Sequence, residues 1–153
     1  MMEKQLFPVV PPVAKADLRG DAAHPQILGE ALFSPFGQGT LVVVRAMGLP
    51  PGGFLGLHIH SNGDCSPTEG TAFTAAGAHY DPEGAEHPFH AGDLPPLLST
   101  SEGMALLAVY TDRFRPEEVA GRSILIHGMA DDFRSQPAGD SGMRIACGVI
   151  RGI

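Results

Sequence analysis

Glycine and proline recur so often along this chain that they leave no room for a long helix. The sequence holds 20 glycines and 14 prolines, and both residue types interrupt helices and mark turns. No window carries apolar residues at helical spacing over several turns. Between the interruptions lie short runs rich in β-branched and apolar residues, which is the composition of strands. The sequence therefore predicts an all-β protein.

Seven of these runs are candidate strands, at residues 13–19, 27–34, 40–47, 54–60, 104–111, 123–127 and 144–150. An eighth could lie at 94–98, where Pro95 and Pro96 permit only an edge strand because proline cannot donate to a neighbouring strand. Turn signals such as Pro35-Phe36-Gly37 separate neighbouring runs. We predict an eight-stranded antiparallel Greek-key barrel or sandwich, with one short helical turn at Pro116-Glu117-Glu118-Val119.

Two stretches without periodicity, residues 61–93 and 128–143, stand out from this pattern. Both exceed the ~12–15 residues beyond which an unstructured connection is usually functional or disordered, so we predict two long functional loops. With 153 residues the chain has the size of one domain. We expect residues 1–153 to form that domain, with residues 1–12 as a poorly ordered N-terminal extension.

The charge of the chain argues against nucleic acid as a partner. The formal net charge is −7, and the ten lysines and arginines are scattered, whereas phosphate backbones require clustered cations. No stretch reaches the ~18 consecutive apolar residues of a membrane-spanning helix, so no membrane partner is expected. Residues 6–13 are too short and proline-broken for a signal-peptide core. The chain as written is expected to be cytoplasmic, and periplasmic or secreted if a signal was trimmed.

Six of the seven histidines lie between His58 and His127, at strand ends or in the first long loop. His58 and His60 close a strand, where residues i and i+2 project from the same face, so both imidazoles could reach one ion. Such a pair is also common as surface decoration. His127 ends a buried strand as either an inward ligand or a hydrogen-bonded core histidine. His24 has no companion residue and is interpreted as a surface histidine.

His79, His87, His90 and Asp93 follow one another inside the first long loop. Three imidazoles and one carboxylate complete a tetrahedral zinc shell. The alternative is a solvated polar loop, which would be costly to order without an ion. The two cysteines, Cys65 and Cys147, indicate by themselves only two reduced, unrelated thiols in an unexported protein.

Five short motifs occur in a fixed order between about residue 27 and residue 150. They are Gly56-Leu57-His58-Ile59-His60, Gly77-Ala78-His79-Tyr80-Asp81-Pro82, His90-Ala91-Gly92-Asp93-Leu94, Gly121-Arg122-Ser123-Ile124-Leu125-Ile126-His127 and Arg144-Ile145-Ala146-Cys147-Gly148-Val149-Ile150. In content and order they resemble the copper–zinc superoxide dismutases. The position of Cys65, shortly before His79, is more similar to the bacterial branch of that family.

The resemblance implies an enzyme that converts superoxide into dioxygen and hydrogen peroxide, with one copper and one zinc ion per chain. The implied copper ligands are His58, His60, His79 and His127, and the implied zinc ligands are His79, His87, His90 and Asp93. His79 would bridge both ions as an imidazolate, which two divalent cations at its nitrogens would stabilise.

The resemblance assigns further roles around the two ions. Asp131 would join the rings of His58 and His87 and so orient two ligands. Arg144 would dock the superoxide anion, and His79 would deliver a proton to the departing peroxide. Cys65 and Cys147 would form an intrachain disulfide.

Two alternatives of the same fold remain: a copper-storage or copper-delivery module, and a zinc-only structural domain. The complete set of copper histidines together with Arg144 favours the enzyme over both. The second long loop departs from the best-known members because it is short and Arg134 is its only cation, beside three aspartates. How superoxide is steered, and whether the chain forms a homodimer, the sequence leaves open.

Overall fold

A computed structural model of the chain describes residues 10–153, which form nine β-strands, one short α-helix and a 3₁₀ turn at Thr74–Ala76. The elements in chain order are β1 Ala14–Gly20, β2 Leu28–Phe36, β3 Gly39–Met47, β4 Gly53–His60, β5 Asp93–Ser99, β6 Ala105–Thr111, α1 Pro116–Val119, β7 Ser123–His127, β8 Arg144–Val149 and β9 Arg151–Gly152.

The strands form one antiparallel sheet in the order β5-β4-β7-β8-β1-β2-β3-β6, and β9 pairs with β1. Neighbours that are not consecutive in the chain, such as β4 with β7 and β3 with β6, give Greek-key connections. The two end strands, β5 and β6, contact each other, so the sheet curls into a nearly closed barrel. The predicted eight-stranded Greek-key barrel is confirmed.

The hydrophobic core fills the inside of this barrel because apolar residues alternate along the strands. Ala14, Ala16 and Leu18 of β1 point inward, as do Val42 and Val44 of β3. Full burial of an aliphatic side chain contributes about 1.5–3 kcal/mol relative to its exposed state. The core is therefore the main source of the free energy that keeps the strands in place.

Both faces are covered along β7, along most of β4 and along the middle of β8. Leu57 and Ile59 of β4 belong to the core, and the alternate residues His58 and His60 are equally buried on the outer face. All five residues of β7 are buried in the same way. The outer faces lie under the two long connections, which we call the first loop (residues 61–92) and the second loop (residues 128–143). Backbone hydrogen bonds such as Gly56 N–H to Met129 O attach these loops to β4.

The disulfide predicted between Cys65 and Cys147 is present, and it attaches the first loop to β8. The two cysteines lie 82 positions apart. In the chain-entropy treatment, a cross-link of that span stabilises the fold by at most about 4.5 kcal/mol. The first loop is therefore tied to the barrel by a covalent bond as well as by hydrogen bonds.

The seven predicted strands and the helical turn occur within two residues of their expected bounds, and the eighth strand lies at one end of the sheet order, as its prolines require. The two-residue strand β9 and the 3₁₀ turn were not predicted, since neither is long enough to carry a pattern. Of the expected N-terminal extension, residues 1–9 lie outside the described residues. No helix within residues 10–153 is long and apolar enough to cross a membrane.

Candidate metal centre

Four histidines from three parts of the chain converge on the outer face of β4. They are His58 and His60 of β4, His127 at the end of β7 and His79 of the first loop. One ring nitrogen from each lies within 4.8 Å of the others, and the two Nε2 atoms of His60 and His127 are 3.3 Å apart. All four residues are buried. Four nitrogen donors at these separations can surround a single metal ion.

A second group of donors lies next to the first and shares His79 with it. The Asp93 carboxylate is at its centre: Oδ1 is 2.8 Å from His79 Nδ1, and Oδ2 is 3.1 Å from the Nδ1 atoms of both His87 and His90. The Nδ1 atoms of His79 and His90 are 3.4 Å apart. The first loop therefore brings together three imidazoles and one carboxylate, the donor set of a zinc site.

Three ring nitrogens in this cluster are buried and make no hydrogen bond among residues 10–153: His58 Nδ1, His79 Nε2 and His87 Nδ1. His87 Nδ1 is close to Asp93 Oδ2, but the two atoms are not aligned as donor and acceptor. An unsatisfied buried polar atom costs about 1–3 kcal/mol, so a folded protein rarely keeps three side by side. The cost disappears if each nitrogen donates its lone pair to a metal ion. These nitrogens are therefore structural evidence that the donor set binds metal ions.

The opposite ring nitrogens are fixed by hydrogen bonds, which set the direction of the free ones. His58 Nε2 and His87 Nε2 both donate to the carboxylate of Asp131, over 2.9 Å and 2.8 Å. His60 Nδ1 donates to the carbonyl oxygen of Gly77 over 2.8 Å. Asp131 thus joins a ring of the first group to a ring of the second.

Gly139 makes room for the Asp131 bridge. A Cβ atom at this position would overlap Asp131 Oδ1 and lie 2.6 Å from His87 Nε2, and its φ of +67° is a conformation that favours glycine. Any larger residue would have to displace the bridge.

Burial sets the protonation of these groups. It lowers the pKa of His60 to about 2 and that of His127 to about 3, so both rings are neutral, which is the form that binds metals. Burial alone would raise the pKa of Asp131, but hydrogen bonds from His58, His87 and the Phe133 N–H outweigh it and hold that pKa well below its usual range. Asp131 is therefore an anion that accepts from both rings.

Arg144 lies at the start of β8, half-buried beside His60. Its guanidinium donates to the carbonyl oxygens of Phe73 and Gly77, over 2.9 Å and 2.7 Å, and Gly77 O also accepts from His60. Burial lowers the pKa of Arg144, but an arginine stays charged. A cavity of about 480 Å³ opens over the cluster and is lined in part by His60, His79, His127, Gln136 and Arg144. A small anion that enters it meets the fixed positive charge of Arg144 and also the carboxylates of Asp81 and Asp140, which line the same cavity.

Every site residue expected from the sequence lies in or beside this cluster, but His24 was interpreted wrongly as having no companion. His24 Nδ1 lies 2.6 Å from Asp21 Oδ1 in the turn after β1, because the His24 N–H donates to the Asp21 carbonyl and brings the side chains together. His24 belongs to neither donor group. Sequence reasoning missed Gln136 and Gly139, since nothing in the sequence distinguishes them from ordinary loop residues.

Comparisons with known proteins bear on the same residues. Residues 27–150 match the family model for copper/zinc superoxide dismutase (SODC). A superoxide dismutase [Cu-Zn] of Deinococcus radiodurans is 40% identical over 93% of this chain and 86% of its own length. Superoxide dismutase [Cu-Zn] 2 of Aquifex aeolicus is 34% identical over 82% of this chain and 80% of its own.

Among solved structures, a Cu/Zn superoxide dismutase from Brucella abortus superposes with a TM-score of 0.77 and 29% identity, covering 89% of this chain and 98% of that one. A SOD-like protein from Bacillus subtilis superposes with a TM-score of 0.75 and 28% identity, covering 88% of this chain and 95% of that one. Sequence motifs, barrel and histidine cluster thus agree with the family match, and the chain belongs to the copper/zinc superoxide dismutase family.

Proposed function

We propose that the histidine cluster is the metal centre at which this superoxide dismutase works. The family gives the activity: two superoxide anions and two protons become dioxygen and hydrogen peroxide, with copper and zinc as cofactors. The observation that carries the assignment of residues is the set of buried nitrogens without hydrogen-bond partners on His58, His79 and His87. Each is turned toward the other donors, as a ligand nitrogen must be.

The proposed copper ligands are the four histidines of the first group. His58 offers Nδ1, because its Nε2 is bonded to Asp131, and His60 offers Nε2, because its Nδ1 is bonded to Gly77 O. His127 offers Nε2, and His79 offers its partnerless Nε2. Imidazole donors suit copper, so this group is the natural copper position.

The proposed zinc ligands are the Nδ1 atoms of His79, His87 and His90 together with the carboxylate of Asp93. A compact set with His58 in place of His90 also exists. The bonds that fix His58 leave it one free nitrogen, which the copper position uses, whereas His90 Nδ1 lies 3.1 Å from Asp93 Oδ2. His90 therefore completes the zinc set, and His79 belongs to both sets through its two nitrogens.

Copper supplies the one-electron redox chemistry of the reaction, and zinc, which has none, orders the ligands. The protein supplies the rest. Arg144 offers a guanidinium at the cavity wall that docks the superoxide anion. His79 Nε2 is also the proposed proton carrier: it would take up a proton only while it is not bound to copper, and it would then pass that proton to the peroxide product. Strands β4 and β7 form the floor of the site, the two loops cover it, and the four histidines of the first group are buried.

A superoxide-disproportionation assay on the protein reconstituted with both metals tests this function. We expect rapid turnover by the loaded protein and background rates from His60→Ala supplied with the same metals. Full copper and zinc occupancy without turnover would contradict the proposal and favour a copper-storage or copper-delivery module. Zinc binding alone under copper excess would favour a zinc-only structural domain.

The chain is also proposed to form a homodimer. Four large apolar side chains stand exposed around a surface groove of about 500 Å³ on β2, β3 and β6, and Leu106 is the most exposed at 73%. Arginines and acidic residues both line the groove, so a two-fold related copy could pair opposite charges across it. The apolar residues are Leu28, Met47, Met104 and Leu106. Sedimentation of wild type and Leu106→Glu tests this: a dimer should become a monomer, and a monomeric wild type would contradict it.

We also propose that the chain forms one domain and that it works in an oxidising compartment. One large hydrophobic cluster joins the strands between residues 14 and 150, which supports a single domain over the described part of the chain, residues 10–153. The Cys65–Cys147 disulfide supports an oxidising compartment, such as the periplasm or the exterior, over the cytoplasm expected from the sequence as written. Fractionation of the cells that make the protein tests the compartment, and a fully cytoplasmic, reduced protein would contradict it.

A further inference from the structure

The segment from His87 to His90 is held from two sides by side chains that lie outside the first loop. On one side, Gln136 of the second loop accepts a hydrogen bond at Oε1 from the His87 N–H over 2.9 Å, and its Nε2 donates to the His87 carbonyl over 2.8 Å. On the other side, Arg113 Nη1 donates to the carbonyls of Pro88 and His90, both over 3.0 Å. Both backbone polar groups of His87 are therefore bonded to one amide.

We propose that Gln136 is a positioning residue for zinc, one that fixes the backbone of His87 so that its Nδ1 points toward Asp93. This inference rests on the proposed function, in which His87 is a zinc ligand. The ring of His87 has a single anchor, the Nε2 bond to Asp131, about which it could still tilt if the backbone moved. The two bonds from Gln136 remove that freedom.

A third hydrogen bond keeps the amide itself in place. Gln136 Nε2 also donates to the carbonyl of Arg134 over 3.0 Å, so the side chain is folded back on its own loop before it reaches His87. A side chain with fixed orientation loses less entropy when it holds a ligand than a free one does. The amide is accordingly preorganised for the two polar groups of His87.

This assignment gives the second loop a role in positioning a zinc ligand, which its charged residues alone do not indicate. Its one lysine or arginine is Arg134, and the side chain of Arg134 makes no hydrogen bond or ion pair within the described residues, 10–153. Three residues of the loop instead converge on His87: Asp131 binds the ring, Gly139 leaves space for that bond, and Gln136 holds the backbone. The second loop therefore acts on a ligand of the first loop, in addition to lining the cavity that the anion enters.

The size of the effect follows from where Gln136 acts. Partners that orient metal ligands typically change metal affinity about 10–100-fold. Gln136 is exposed and contacts the backbone of the ligand rather than its ring, so water competes for each bond. We expect the lower end of that range, about a tenfold faster release of zinc when the amide is lost.

The test is the rate at which a chromogenic chelator removes zinc from the enzyme loaded with both metals. Gln136→Leu should release zinc about tenfold faster than wild type. Gln136→Glu should be at least as fast, because a carboxylate oxygen then faces the His87 carbonyl. Arg134→Gln, two residues away in the same loop, is the matched control and should release zinc at the wild-type rate.

A second readout separates positioning from general stability. The melting temperature of the metal-free, disulfide-bonded protein should agree within about 2 °C among wild type and all three variants. With Co²⁺ in the zinc position, the visible spectrum should change in Gln136→Leu and stay unchanged in Arg134→Gln, since only the former disturbs the geometry of His87.

Each other outcome identifies what is wrong. Equal zinc release from Gln136→Leu and wild type would overturn the inference. A lower melting temperature of metal-free Gln136→Leu, with copper and zinc lost together, would also overturn it and make Gln136 a structural residue. A wild type that takes up no zinc would instead refute the zinc assignment under the proposed function, before the variants are compared.

Discussion

The two donor groups of the cluster differ in what holds them in place. Three of the four proposed copper ligands belong to strands, His58 and His60 to β4 and His127 to β7, and the core on the other face of those strands fixes their backbones. The proposed zinc ligands His79, His87 and His90 all belong to the first loop, and only Asp93 lies at the start of a strand. The strands of the barrel thus position most of the proposed copper ligands, whereas most of the proposed zinc ligands depend on the conformation of the first loop.

This difference has an energetic side. Fixing the backbone of a loop residue costs about 1–2 kcal/mol, and the first loop has little core of its own to offset that cost. Its compensation comes from the disulfide to β8, from side chains such as Asp131, Gln136 and Arg113, and from the bound ion. We therefore expect the loss of any of these interactions to weaken zinc binding more than copper binding.

The largest expected effect comes from removing the disulfide, which ties the loop that carries the zinc ligands to the barrel. The double variant Cys65→Ser, Cys147→Ser should lose about 2–4 kcal/mol of unfolding free energy, because the unfolded chain regains the freedom that the cross-link removed. Denaturant unfolding of the metal-free proteins measures the loss. Zinc should be released faster than from wild type, with copper affected less. Unchanged stability, or two free thiols in the active wild type, would contradict this account.

The next effect concerns Arg144, which stands beside the strand-borne copper ligands but is held by carbonyls of the first loop. Arg144→Ala should lower kcat/KM about tenfold and Arg144→Glu about 100-fold, since a local cation raises anion encounter by about 10–1000-fold and a carboxylate repels it. Steady-state superoxide assays on fully loaded proteins measure this. Arg134→Gln is the control and should change kcat/KM little. Unaltered activity in Arg144→Glu with copper fully bound would show that superoxide enters elsewhere.

The smallest expected effect is a difference between zinc affinity and copper affinity within one variant. Asp131→Ala frees the rings of His58 and His87 at once, one on a strand and one on the loop. Zinc affinity should fall about 10-fold or somewhat more, and copper affinity less, because β4 still fixes the backbone of His58. Competition titration with a chelator for each metal gives both values. A larger loss of copper than of zinc would contradict the expectation that the strands hold the copper ligands more firmly than the first loop holds the zinc ligands.

Sequence reasoning worked best where a pattern repeats or a residue type is rare. Strands are set by alternation against a common core, so β1 to β8 could be placed from local runs of residues. The histidines are few, and their chemistry narrows their role. The family resemblance then supplied the pairing of Cys65 with Cys147, which spacing alone did not indicate.

Residues that act through a single long-range contact could not be found in this way. Gln136 reaches His87 across 49 positions of sequence, and Gly139 matters only because Asp131 and His87 meet beside it. The pairing of His24 with Asp21 depends on the shape of one turn. Such contacts follow from the folded arrangement of loops, which no local pattern of residues encodes.

We propose that this chain holds copper on its strands and zinc on its first loop, with His79 shared by both sites. Metal analysis of wild type, His60→Ala and Asp93→Ala after reconstitution with both metals tests it most directly. We predict one copper and one zinc per wild-type chain, preferential loss of copper from His60→Ala, and preferential loss of zinc from Asp93→Ala. Zinc at both positions of the wild type under excess copper, or loss of both metals together from each variant, would contradict it.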